Sequence, residues 1–143
     1  LVTPLRKKAA LHDPSVVKAE LTPWRSDIFQ QELCPQPDVW RAITFSRAPV
    51  PSARDWHDSL LDRNPPLFWQ HVGVYAYRRS VLEKWDSLPD SPLAEVESLE
   101  QLRLVEAGIS IAAVRVNQTV QGIDTAADYA VFVDRFRNQQ EST

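Results

Sequence analysis

The sequence predicts an α/β fold, and three stretches carry that prediction. Residues 67–77 close on His71-Val-Gly-Val-Tyr-Ala-Tyr77, where apolar and polar side chains alternate with the period of two that a half-buried strand requires. Residues 91–108 carry the punctuation of a helix. Ser91 suits the N-cap, Pro92 the first helical position, Glu95 the first turn and Gly108 the C-terminal stop. Residues 109–116 are rich in β-branched side chains and read as a further strand. Strands alternating with capped helices assemble into α/β layers.

The remaining elements follow in order. The chain opens on a strand-like Leu1-Val-Thr3. Residues 6–11 can form a short helical turn, ended by Asp13-Pro14, and 16–21 read as a strand. Residues 22–38 contain Pro23, Pro35 and Pro37, which suits a long connection with one helical turn over 27–33. Residues 40–45 alternate as a strand, and 46–66 are loop-rich around Pro49, Pro51, Pro65 and Pro66. A helix is expected over 78–88, stopped by Pro89, and the helix starting at Ser91 should run to 107. Thr125 can cap a last helix over 126–137, leaving 138–143 as a polar tail. All 143 residues fit one domain. So few strands in an open sheet leave apolar surface uncovered, so a missing half or a partner should cover it.

Composition narrows the function classes. Hydrophobic residues make up 43% and charged residues 24%, a globular balance. The net charge is −3 and the basic residues form no cluster beyond Arg6-Lys-Lys8, which argues against nucleic acid and acidic membrane surfaces as partners. No apolar run approaches the length of a membrane span, and no signal-peptide pattern opens the chain. The single cysteine, Cys34, rules out an internal disulfide and fits a cytoplasmic chain. Methionine is absent and the chain opens inside a strand-like Leu1-Val-Thr3, as expected of a fragment, a processed product or an engineered form more than of a complete gene product.

Several side chains could carry chemistry. Asp124, in Gly122-Ile-Asp-Thr125, precedes a helix, where a carboxylate serves either as a cap or as a hard oxygen ligand for Mg²⁺. Glu97, Glu100, Gln101 and Leu104 would share one helical face, with Leu93, Val96, Leu99 and Leu102 supplying the packing. That polar face is either solvated or a binding surface. His71 and Tyr75 are four apart on an alternating strand and should face one side, with Tyr77 beside them. Arg47 and Arg54 offer the fork geometry that suits a carboxylate or phosphate, although Arg54 is equally suited to a surface ion pair. One cysteine and three scattered histidines give no zinc spacing. Three glycines (Gly73, Gly108 and Gly122) cannot make a phosphate cradle.

Taken in order, His71-Val-Gly-Val-Tyr-Ala-Tyr-Arg78, Ser91-Pro-Leu-Ala-Glu-Val-Glu-Ser-Leu-Glu-Gln-Leu-Arg103 and Gly122-Ile-Asp-Thr125 resemble the C-terminal half of the 3-deoxy-manno-octulosonate cytidylyltransferase (CMP-Kdo synthetase) family. Phe45-Ser-Arg47, Arg54-Asp55 and Asp13-Pro-Ser-Val-Val-Lys18 extend the resemblance over most of the chain. It implies the C-terminal half of a Rossmann-like nucleotidyltransferase fold, a mixed sheet with helices packed on it. It also implies the reaction of the complete enzyme: CTP plus 3-deoxy-manno-octulosonate gives the CMP-sugar and pyrophosphate, for lipopolysaccharide assembly.

By the same resemblance, His71, Tyr75, Glu100 and Gln101 would bind the sugar acid. Arg47, with Arg54 as second candidate, would meet its carboxylate or the nucleotide phosphates. Asp124 would be one of two aspartates holding Mg²⁺, which makes Arg47 and Asp124 the catalytic candidates. A homodimer is implied too. The N-terminal nucleotide half would lie outside this chain, which is then expected to be inactive alone. Residues 22–40 are longer than the short hairpin link expected there. The alternatives are a non-catalytic binding or dimerisation module and a synthetase for another ulosonic acid.

Overall fold

The computed structural model describes residues 1–24, 39–117 and 126–140. Five strands form one sheet: β1 (Val2–Pro4), β2 (Lys18–Pro23), β3 (Val39–Ser46), β4 (Trp69–His71) and β5 (Ile111–Val114). Their order is β1-β4-β2-β3-β5, and every ladder is antiparallel. Val2 pairs with His71, Ala19 with Trp69 and Phe45, and Ala42 with Ile111. The β2–β3 register shifts at Glu20/Leu21, a bulge of the kind that increases local twist. The sheet then curls until its two edges meet. Val2 makes a parallel bridge to Arg115, and the Val116 amide donates to the Val2 carbonyl at 2.8 Å. That contact makes the sheet mixed and leaves both edges partly satisfied.

Two apolar clusters flank the strands. Val2, Ala19, Ala42, Phe45, Trp69, Leu99, Leu102 and Ala113 form one; Leu5, Leu11, Leu61 and Phe68 form the other. Phe68 and Trp69 are neighbours in sequence yet belong to different clusters, the alternation that chain entering a strand imposes. Helix α1 (Lys8–His12) contributes Leu11 to the second cluster, together with a 3-10 turn at Asp58–Asp62. Beyond β4 come α2 (Arg79–Leu82), α3 (Pro92–Glu97), α4 (Gln101–Glu106) and, as a separate element, α5 (Ala126–Gln140).

Several expectations need correction. The strand over 67–77 is only Trp69–His71 long, because its ladder with β1 ends at Val2↔His71. The chain then turns, and Val74 donates to the Val72 carbonyl. The helix over 78–88 is reduced to α2 and a 3-10 turn at Trp85–Ser87, since Lys84 bonds back three residues to Val81.

The helix over 91–107 is two helices. Ser91 caps it as expected, accepting from the Ala94 amide at 3.0 Å, but Ser98 adopts φ 52° and ends α3. The Ser98 amide then donates to Glu95 and the Leu99 amide to Ala94, closing the turn. Glu97 therefore does not share a helical face with Glu100 and Gln101. Leu99 and Leu102 are buried, while Leu93 is 49% and Val96 83% exposed. Gly108, at φ 74°, ends α4 as predicted. Helix α5 continues three residues past 137, into the expected tail. Cys34, Asp124, Thr125 and the helical turn over 27–33 lie outside the described residues.

Candidate functional site

A cavity of about 500 Å³ opens beside the end of β4, between Phe45, His71, Tyr75, Tyr77, Leu104 and Val114. His71 is placed there by its pairing with Val2. Its ring meets Phe45 edge-on, with centroids 5.2 Å apart, and Tyr75 at the same separation. Tyr75 stacks on Tyr77 at 5.7 Å, and Trp85 closes the row edge-on to Tyr77. The predicted neighbourhood of His71, Tyr75 and Tyr77 is thus present, although a turn after His71 builds it where a continuous strand was expected.

Burial sets the electrostatics. Desolvation, with a smaller contribution from the positive amino terminus, lowers the His71 pKa to about 4, so its imidazole is neutral at pH 7. A neutral ring offers one donor and one acceptor. Desolvation also raises the Tyr75 pKa well above the usual phenol value, with Tyr77 and then Glu100 adding to the shift. Tyr77 is raised by burial and by Glu100. The Glu100 carboxylate, itself exposed, therefore lies within electrostatic reach of both hydroxyls.

Three buried polar atoms on the predicted residues lack hydrogen-bond partners among the described residues: His71 Nε2, Tyr75 Oη and Gln101 Nε2. Gln101 is only 3% exposed, which is unusual for its type. An unpaired buried polar group costs about 1–3 kcal/mol. Three on the residues singled out for sugar binding favour a ligand rich in hydroxyls, which can satisfy a donor and an acceptor at each oxygen.

The arginines are placed differently. Arg47 follows the end of β3, outside the cavity wall, and its guanidinium donates to the carbonyls of Glu97 (2.7 Å), Pro14 (2.9 Å) and Ser98 (3.5 Å). Arg54 is exposed in the loop that follows. Sequence reasoning missed the group that surrounds Arg47. Glu97 accepts from the Ser46 hydroxyl (2.7 Å) and the Arg47 amide (2.8 Å), which together with the Arg47 and Lys18 charges hold its carboxyl below the usual range. Lys18 is 0% exposed; its ammonium donates to the carbonyls of Asp13 (2.9 Å), Val16 (2.7 Å) and Arg47. The signal for Lys18 was a cation set between Val17 and Ala19 in a strand. No group of three His, Cys, Asp or Glu side chains suited to a metal occurs among the described residues.

The sequence model of the cytidylyltransferase family matches residues 2–111. A 3-deoxy-manno-octulosonate cytidylyltransferase of Rhodopirellula baltica is 40% identical over 136 residues, covering 94% of this chain and 48% of the relative. An enzyme of the same name from Gemmatimonas aurantiaca is 49% identical over 91 residues, 64% of this chain and 34% of that one. A solved structure of CMP:2-keto-3-deoxy-manno-octonic acid synthetase complexed with CTP superposes with a TM-score of 0.70 at 33% identity, covering 97% of this chain and 48% of the other. The chain thus spans about half the length of the first of these relatives and of the solved structure. By sequence and by fold, the chain belongs to the cytidylyltransferase family.

Proposed function

We propose that this chain provides the sugar-acid side of a 3-deoxy-manno-octulosonate cytidylyltransferase, in which the anomeric hydroxyl of the sugar acid attacks the α-phosphate of CTP and pyrophosphate leaves. The observation that carries this reading is the pair of unpartnered polar atoms on His71 and Tyr75 in one aromatic-walled cavity, with a third on Gln101, one helical turn before the cavity-lining Leu104. Relatives named for this activity support it. His71 contributes as a neutral hydrogen-bonding ring and shuttles no proton. Tyr75 keeps its hydroxyl proton and can both donate and accept. Gln101 offers amide donors, and Glu100 accepts from sugar hydroxyls at the exposed rim. With the Arg47 guanidinium engaged by carbonyls, the exposed Arg54 is the arginine of the predicted pair left to receive the substrate carboxylate.

The chain's part in the reaction is to hold the sugar acid in one orientation and shield it from water, so that attack is effectively intramolecular. Asp124 is proposed as one Mg²⁺ ligand; when bound, the ion would neutralise charge on the transferring phosphate. A cytoplasmic location and a homodimer belong to the same proposal. The absence of any helix long and apolar enough to cross a membrane among the described residues is compatible with the former. The exposed Leu93 and Val96 are compatible with the latter.

The test is calorimetric titration of the chain with 3-deoxy-manno-octulosonate, and of His71→Ala and Gln101→Ala variants. Each variant should bind about 5- to 100-fold more weakly, the equivalent of about 1–3 kcal/mol. A folded wild-type chain that ignores the sugar acid would sink the reading, and tighter binding of another ulosonic acid would redirect it. Pyrophosphate release from CTP, sugar acid and Mg²⁺, compared between wild type and Asp124→Asn, measures whether this half catalyses alone.

A further inference from the structure

We infer that Arg47 and Glu97, braced by the buried Lys18, form a strut that positions Glu100 and Gln101, and that Arg47 is a positioning residue and not a ligand for substrate. The inference rests on the sugar-acid reading for the identity of the site, and on geometry for the strut itself. The break between α3 and α4 lies at Ser98, three residues before Gln101. The last residue of α3 and Ser98 itself are tied to the end of β3 and to the residue that follows it. Glu97 uses one carboxylate oxygen for the Ser46 hydroxyl and the other for the Arg47 amide. Arg47 returns its Nε to the Glu97 carbonyl and a terminal nitrogen to the Ser98 carbonyl. The Ser46 hydroxyl also accepts from the Ala48 amide, which fixes the turn that carries Arg47.

Lys18 anchors the assembly from below. Its ammonium has three N–H groups, and three carbonyls receive them, those of Asp13, Val16 and Arg47. Arg47 reaches the same Asp13–Val16 turn by donating to Pro14. Cation, carboxylate and guanidinium thus spend their directional bonds on backbone groups and the Ser46 hydroxyl, at three separate points of the chain. Such a cluster fixes relative position and leaves little capacity for a ligand. What it fixes is the register of the short Ser98–Gln101 connection, and with it the Glu100 carboxylate within electrostatic reach of Tyr75 and the start of α4, whose Leu104 lines the cavity.

The experiment uses the full chain, with Arg47→Met, Glu97→Ala and Glu97→Gln as variants and Leu11→Ala as a control. Leu11 lies in the other apolar cluster, so the control lowers global stability without touching the strut. Amide exchange is measured without ligand, and octulosonate affinity in parallel. In Arg47→Met and Glu97→Ala the Leu99 and Leu102 amides should exchange at least tenfold faster, while amides of the β2–β3 ladder keep their protection. Sugar-acid affinity should fall about tenfold in both, partly recover in Glu97→Gln and hold in Leu11→Ala.

Unchanged exchange at Leu99 and Leu102 would overturn the strut. Faster exchange with unchanged affinity would overturn its link to the site. Lost affinity with unchanged exchange in Arg47→Met would make Arg47 a ligand after all. If wild type fails to bind the sugar acid, the sugar-acid reading fails, and exchange still decides whether the strut holds the Ser98 break.

Discussion

Two polar regions a few residues apart treat their buried groups in opposite ways. Around Arg47, the three N–H groups of Lys18 and both oxygens of Glu97 are taken up within the fold. Around Tyr75, a buried His71 nitrogen and the tyrosine hydroxyl are left without partners among the described residues, as is the Gln101 amide nitrogen at the start of α4. Both regions draw on the end of β3 and the α3–α4 break, so neither differs simply by being nearer the surface. The difference separates what the chain uses to fold from what it holds ready for something else. A saturated buried charge is expensive to disturb, whereas an unsaturated buried dipole is costly to keep. Substitutions should therefore act on stability in the first region and on ligand affinity in the second.

The largest effect is expected at Lys18. Lys18→Met keeps most of the side-chain volume but removes three donors, leaving the carbonyls of Asp13, Val16 and Arg47 to find others. Stability should fall by about 2–4 kcal/mol, read as a lower urea midpoint at unchanged slope. A loss below 0.5 kcal/mol would show that the saturated region is not structural, and the contrast would collapse.

The next effect belongs to His71 and is read as a pH dependence. The imidazole titrates near its ordinary value in the unfolded chain but only at about 4 when folded. Between those values the unfolded state binds more protons, so stability rises with pH through this window and falls on acidification from about 6.5 to 4. The contribution should be about 3 kcal/mol, fully present above pH 6.5. Denaturation midpoints at several pH values would show it, and His71→Gln should flatten that part of the profile. A slope identical in wild type and variant would mean that His71 is better solvated than its position implies.

Tyr75→Phe sharpens the comparison because stability and binding should move in opposite directions. Removing a buried hydroxyl without a partner should raise stability by up to about 1 kcal/mol, while sugar-acid affinity drops by a similar amount. Loss of stability would show that the hydroxyl has a partner within the fold, and would place Tyr75 with the saturated region.

What was legible in the sequence divides along the same line. Ser91, Pro92 and Gly108 announced a helix start and stop because capping is a local matter of one hydroxyl, one ring and one φ angle. His71, Tyr75, Glu100 and Gln101 were legible as a set through family motifs; the structure stacks His71 on Tyr75, holds Glu100 within electrostatic reach of Tyr75, and buries Gln101, the next residue. The break at Ser98 was not legible, since nothing local forbids a helix through Glu97-Ser-Leu-Glu100. It depends on Arg47, some fifty residues earlier, and long-range bonds leave no periodic trace. The exposure of Leu93 and Val96 follows from that break, which leaves only Ala94 of α3 packed against the cluster that buries Leu99 and Leu102. Likewise Leu67 to Tyr77 alternates well enough for a long strand, yet strand length is set by the partner, and β1 pairs with only three residues of β4.

The smallest effect tests where the two regions join. Ser98 holds φ 52°, a left-handed conformation in which a β-carbon is strained and glycine is not. Ser98→Gly should relieve that strain and, after the extra entropy of the unfolded glycine, add about 0.5–1 kcal/mol of stability. The more telling reading is affinity. If the strut fixes the break, a more permissive residue there should leave octulosonate binding within twofold of wild type, because Arg47 and Glu97 still define where Gln101 sits. If the stiffness of Ser98 itself fixes the break, glycine should loosen the Glu100–Gln101 pair, and affinity should fall even as the fold gains stability. Thermal denaturation and one titration on the same variant decide between them, since only the strut lets the stability gain come without a loss of binding.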